Sequence, residues 1–148
     1  VYGEHRDLHR VDRRQRQMCI RDSKEREMWR PIAPSVLIDQ YSEYFEGNPD
    51  SKFFMNVAAI VKEEKRRDIV AVVHVDNTAR PQVVTADQKK YYGLLQAFYR
   101  QTGIPLLCNT SFNSRGVPLV NTPVDAIECF LNREIDLLVI GNYIIKKV

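Results

Sequence analysis

The pattern of apolar and polar positions changes near residue 24. Val1 to Ser23 carries neither a helical stripe nor an alternating one, and its six arginines are interspersed with four acids. From Lys24 onward the apolar positions fall into short periodic segments. In Trp29-Arg30-Pro31-Ile32-Ala33-Pro34 two prolines hold the residues before them extended, which bars a helix there. Ser35 to Phe45 reads as a short helix, with Val36, Leu37, Tyr41, Tyr44 and Phe45 as its apolar positions and Gly47-Asn48-Pro49-Asp50 as its stop. Phe53 to Val61 predicts a strand and Lys62 to Asp68 a solvated loop. The β-branched run Ile69 to Val75 predicts a buried strand that ends at Asp76-Asn77-Thr78, and Gln82 to Val84 is a further short strand.

The second half is more regular. Asp87 to Gln101 predicts the clearest helix, with Tyr91, Leu94, Leu95, Phe98 and Tyr99 on one face and Thr102-Gly103 as its C-terminal stop. Ile104 to Cys108 is a short buried strand leading into the polar loop Asn109-Thr110-Ser111-Phe112-Asn113. Thr122-Pro123-Val124-Asp125 opens another helix, with threonine placed to cap it and aspartate three residues on. Ile135 to Ile140, Gly141-Asn142 and Tyr143 to Lys147 form a closing hairpin. Strands and helices alternate without repeats, which predicts an α/β fold: a mixed twisted sheet with flanking helices.

Composition narrows the classes. With 148 residues and 44% hydrophobic content the chain is one domain with a core, not a disordered segment. Residues 1–23 carry two of the three net positive charges, so the basic balance is no signal for nucleic acid. Cys19, Cys108 and Cys129 show neither a CxxC motif nor metal-ligand spacing, and are expected to be reduced thiols of a cytoplasmic protein. No apolar run reaches the roughly 18–20 residues of a membrane helix. Val11 to Ser23 (VDRRQRQMCIRDS) looks like the translation of a sequencing adapter. On that reading residues 1–23 are non-native, residues 24–148 are the C-terminal piece of a longer protein, and the gene is broken between them. A genuine disordered tail and a basic binding arm are the other two readings.

Three polar loops could carry chemistry. The first is Lys24-Glu25-Arg26-Glu27-Met28-Trp29-Arg30-Pro31. In an extended segment Lys24 and Arg26 project to one side, a point charge beside a planar fork, which suits a triphosphate. The second, His74 to Gln82, sets a histidine, an aspartate and Arg80 between two strands; with no second histidine or cysteine at ligand spacing, no metal site is expected. The third, Asn109 to Gly116, offers Asn109, Thr110, Ser111, Asn113 and Arg115, side chains that either satisfy their own turn or hold ribose and phosphates. Neither a GxxxxGK[ST] loop nor a GxGxxG turn occurs, which argues against P-loop and Rossmann nucleotide binding. Cys108 has no nearby base in sequence and reads as a small core residue.

Taken in order, Lys24 to Leu37, His74 to Val84, Thr102 to Asn113, Asn121 to Ile127 and Leu138 to Tyr143 resemble the C-terminal domain of antibiotic and nodulation-factor O-carbamoyltransferases. That domain is similar to YrdC-like domains, whose KxR and SxN signature binds ATP; Lys24-x-Arg26 and Ser111-x-Asn113 occupy those places. The resemblance implies a domain that makes carbamoyladenylate from carbamoyl phosphate and ATP. A separate N-terminal domain of the same polypeptide, with an actin-like ATPase-related fold and an iron site, would then pass the carbamoyl group to an acceptor hydroxyl. It further implies that Lys24, Arg26 and Arg80 serve catalysis by neutralising phosphate charge. Arg30, His74, Asn109, Thr110, Ser111, Asn113 and Arg115 would join them in binding ATP and carbamoyl phosphate. Magnesium would arrive with ATP, held mainly by phosphates and water. Two places depart from the family pattern: Asn77 stands where a glycine is expected, in a turn asparagine can keep, and Val117 stands where an acid is frequent. The readings that compete with this one are an RNA- or nucleotide-binding YrdC-like module and a folded but inert fragment.

Overall fold

The computed structural model describes residues 32–113 and 116–147. Among them the chain divides into two compact units, residues 32–110 and the remainder from Ser111 onward. Both are mixtures of short strands and helices, in keeping with the expected α/β class.

The first unit is organised around β1 (Ala33–Leu37), every residue of which is buried. It lies between β4 (Gln82–Val84), parallel to it, and β5 (Leu106–Asn109), antiparallel to it. The sheet is mixed, as expected. Pro34 is accommodated because pairing with β4 begins only at Ser35, so no ladder on that side needs its missing N–H. The helix expected over Ser35 to Phe45 is split. Val36 and Leu37 finish the strand, a 3-10 turn covers Ile38–Gln40, and only α1 (Tyr41–Tyr44) is helical. The cause is burial on both faces: Val36 enters one core and Leu37 the opposite one, so adjacent apolar positions reflect a two-sided strand rather than a helical stripe.

On the Val36 face, Val83 and Leu106 join Tyr41, Tyr44, Phe45, Val61, Ile69 and Val72 in the larger core. The Leu37 face is covered by α2 (Lys89–Thr102), whose Leu95 is fully buried against Leu37 and Val84 with Tyr91, Tyr92 and Tyr99 around it. Leu94, expected on this face, is exposed, and Tyr92 takes part instead. Gly103 ends the helix in the left-handed conformation, φ 70°, donating its N–H to Tyr99 O at 2.8 Å.

Two expected strands are largely absent. Of Phe53 to Val61, only the end is paired: β2 (Ala59–Ile60) with β3 (Thr78–Ala79), and Val61 through an antiparallel bridge to Phe45. Ile69 to Val75 is no strand: Val70–Val72 is a 3-10 turn. Ile69, Ala71 and Val72 are buried there, while Val75 is fully exposed. A β-branched run signals burial, and packing can satisfy it without a ladder. The turn after it matches expectation, with Asn77 at φ 64° in the conformation a glycine would favour.

The second unit consists of α3 (Pro123–Leu131) and the hairpin of β6 (Leu137–Ile140) and β7 (Tyr143–Lys146), joined through Gly141 at φ 58°. Thr122 caps α3 in the arrangement its sequence predicts. Its hydroxyl accepts from Asp125 N at 3.2 Å, while the Asp125 carboxylate accepts from Thr122 N at 2.9 Å. The core here is Ala126, Phe130 and Leu138 with partly buried neighbours. Among the described residues no helix is long and apolar enough to cross a membrane.

Candidate functional site

The middle loop of the three is the best defined. It is built onto β2 by the pairing of Ile60 with Thr78 and by Val61 N, which donates to Asn77 O at 2.9 Å. Within it His74 N donates to Thr78 O at 2.7 Å and Asn77 N to His74 O at 3.0 Å, closing a tight turn. Asp76 Oδ1 accepts from Thr78 N at 3.0 Å and from Thr78 Oγ1 at 2.7 Å. These bonds, the hydroxyl's first, hold the Asp76 carboxyl below the usual carboxylate range. Thr78 Oγ1 also lies 3.1 Å from His74 Nδ1. Burial pushes the His74 imidazole down from its ordinary value; Asp76 opposes this and the Arg80 charge reinforces it. Arg80 is exposed at the end of the turn. Among the described residues, two buried side-chain atoms have no hydrogen-bond partner, His74 Nε2 and Thr110 Oγ1.

Asn109 ends β5 in a polar cluster on the sheet. Gln82 Oε1 accepts from Ser35 Oγ at 3.1 Å and from Asn109 Nδ2, and Asn109 Nδ2 also lies 3.7 Å from Met55 Sδ. Strand alternation places these groups on one face: Ser35 opposes Gln82 and Ala33 opposes Asn109, so Ser35, Gln82 and Asn109 share the face that α2 covers further along. The hydroxyl of Tyr91, in the first turn of α2, is raised above the usual phenol range by burial, an effect that the nearby Ser35 opposes. The segment bearing Met55 is clipped by Lys52, a buried lysine whose ammonium donates to Ala58 O at 2.9 Å. Sequence reading missed Ser35, Gln82 and Lys52. The usable signal for Ser35 was a hydroxyl inside an apolar run buried on both faces, a place where a polar group needs a partner.

In the second unit, Ser111 Oγ donates to Asn113 Oδ1 at 2.7 Å and Asn113 Nδ2 donates to Val117 O at 2.9 Å, with Val120 N to Phe112 O closing the loop at 3.1 Å. The SxN pair therefore shapes its own turn. A cleft of about 410 Å³ opens between this loop and α3, lined by Asn113, Asn121, Asp125, Glu128, Cys129 and Asn132 among others. Its two carboxylates oppose an anionic ligand.

The structure brings His74 and Arg80 into one turn and sets Asn109 and Thr110 at the end of β5. Ser111 and Asn113 belong to the second unit. Lys24, Arg26, Arg30 and Arg115 lie outside the described residues. Among the described residues no group of three or more His, Cys, Asp and Glu side chains converges to hold a metal ion.

A family model described as carbamoyltransferase C-terminus matches residues 8–147. The chain is 46% identical over 128 residues to nodulation protein NolNO of Sinorhizobium fredii, an alignment covering 84% of this chain and 19% of that protein. It is 42% identical over 130 residues to an uncharacterized protein of Methanocaldococcus jannaschii, covering 87% of this chain and 25% of the other. A 3'-hydroxymethylcephem-O-carbamoyltransferase of Amycolatopsis lactamdurans is 31% identical over 124 residues, covering 83% and 23%. The chain thus spans about a fifth to a quarter of the length of these relatives.

Proposed function

The chain belongs to the carbamoyltransferase C-terminus family, and from that premise we propose that it is the ATP-binding, carbamoyladenylate-forming part of a cytoplasmic O-carbamoyltransferase. Carbamoyl phosphate would be cleaved by water to phosphate and carbamate. A carbamate oxygen then attacks the α-phosphorus of ATP, the bond to the pyrophosphate oxygen breaks, and pyrophosphate leaves with the electron pair. The remainder of the longer polypeptide would transfer the carbamoyl group to a hydroxyl.

The observation that carries this reading is the order of the three polar loops within a region matched nearly end to end by the family. Negative charge grows on the leaving and non-bridging oxygens, so the step needs fixed cations and donors rather than a covalent nucleophile. Arg80, exposed at the mouth of a turn held by backbone bonds, fits that need, and Lys24 and Arg26 would share it. Magnesium bound to the triphosphate would screen the same oxygens.

Titration calorimetry of the 148-residue chain with magnesium-ATP, beside Arg26→Ala, Arg80→Ala and Ser111→Ala, tests the assignment. We expect tenfold or greater weakening for each arginine variant. Equal affinities in all four proteins would remove the site. Pyrophosphate release on adding carbamoyl phosphate tests the chemistry, and we expect about 10²–10³-fold slower release in Arg80→Ala.

A further inference from the structure

The placement of one proton follows from the turn at residues 74–78. Thr78 has a single hydroxyl proton, and Thr78 Oγ1 donates it to Asp76 Oδ1 at 2.7 Å. Asp76, held below the usual carboxylate range, is ionised at neutral pH and has no proton to offer. At its 3.1 Å contact with His74 Nδ1, Thr78 Oγ1 can therefore only accept. The His74 proton sits on Nδ1. Burial keeps the ring neutral against the pull of Asp76, and Arg80 assists. Nε2 is then a bare lone pair, buried and without a hydrogen-bond partner. Such an acceptor repels phosphate oxygens and is satisfied by an N–H or O–H group.

We infer that His74 Nε2 is the acceptor for an uncharged N–H or O–H donor on the substrate, and is not a phosphate ligand. This rests on the functional reading above and sharpens it: the donor is the amide of the carbamoyl group or an amine or hydroxyl of the nucleoside. Asp76 and Thr78 are positioning residues that fix the tautomer. Their hydrogen-bond chain, acid to hydroxyl to imidazole, is anchored at Thr78 by the pairing of β2 with β3. Arg80, whose charge is felt at His74, would take the anionic end of the same ligand. A site of this kind distinguishes a carbamoyl group from an acetyl group, because the methyl of acetyl leaves the lone pair unmet.

The test uses nitrogen-15 histidine labelling of the full chain at pH 8, with the His74 signals assigned by their loss in His74→Asn. The ligand-free chain should show a pyrrole-type Nδ1 and a bare Nε2; a protonated Nε2 overturns the inference outright. Carbamoyl phosphate, acetyl phosphate, inorganic phosphate and magnesium-ATP are then added in turn, with binding followed separately by calorimetry. A shift of Nε2 with carbamoyl phosphate but not acetyl phosphate assigns the amide as donor, and a shift with magnesium-ATP alone assigns the nucleoside. Binding that leaves Nε2 unmoved, or a shift with inorganic phosphate, overturns the inference while leaving the functional reading intact. If no ligand binds by calorimetry, the functional reading fails and the inference with it. Two variants keep the result independent of folding. His74→Asn, which retains a donor for Thr78, should weaken the ligand that shifts Nε2 about tenfold. His74→Gln, which restores an acceptor near Nε2, should stay within about threefold of wild type.

Discussion

The two units solve the problem of core formation differently. The first closes a sheet on both faces: Val36, Val83 and Leu106 face one core, Leu37 and Val84 the other, and Leu95 of α2 seals the second. Among the described residues of the second unit, only Ala126, Phe130 and Leu138 are buried. It also leaves one face of its hairpin uncovered, with Leu137, Val139 and Ile144 at 52%, 65% and 72% exposure on adjacent strands. The difference bears on chemistry. Groups that need a fixed geometry, His74 in its turn and Asn109 on its strand, belong to the unit with two cores, while the SxN loop sits in a unit whose own burial is small.

The largest expected effect probes that contrast directly. Phe130→Ala removes the main side chain of the smaller core and should cost about 3–5 kcal/mol locally. Hydrogen exchange should then show amides of α3 and the hairpin losing protection while those of β1, β4 and β5 keep theirs. Equal loss in the three-stranded sheet would break the comparison. A smaller effect is expected in the first unit from Gln82→Leu, which leaves the fully buried Ser35 hydroxyl and the Asn109 amide without their shared acceptor. A cost of about 1–3 kcal/mol follows from two unmet polar groups, measurable by chemical denaturation. A change below about 0.5 kcal/mol would mean that Ser35 and Asn109 do not depend on Gln82 for their hydrogen bonds.

The same contrast decides what could be read from the sequence. Local signals were legible wherever a single residue type dictates backbone geometry. Gly103 ends α2, Thr122 caps α3, Gly141 turns the hairpin and Asn77 keeps its positive φ. Signals that depend on packing were not. Val36-Leu37 resembled a helical stripe because neighbouring strands bury both faces, and Ile69 to Val75 resembled a strand because burial alone selects β-branched residues. Of the candidate site, the order of the polar residues was legible. The hydrogen-bond directions were not, since they depend on which atoms face one another across residues 74–78.

The smallest predicted effect separates the two longer helices. α2 has no side-chain cap at Gln88 and is held by Leu95 and its tyrosines, whereas α3 has a thin core and a complete capping box. Thr122→Ala should therefore cost about 1 kcal/mol in α3, and Gln88→Ala close to nothing in α2. Acid should discriminate the helices in the same direction. The Thr122 side chain, then the N–H groups of Thr122 and Asn121, hold the Asp125 carboxyl below its ordinary value. A carboxyl whose folded pKa is depressed contributes stability that is fully present above the unfolded value of about 3.9 and is lost as pH falls through the folded one. Exchange protection of the first turn of α3, corrected for intrinsic rates, should thus fall as the pH drops below about 4, and Asp125→Asn should remove that dependence. Equal acid sensitivity of α2, which has no acid in its first turn, would show that packing rather than the cap governs both helices.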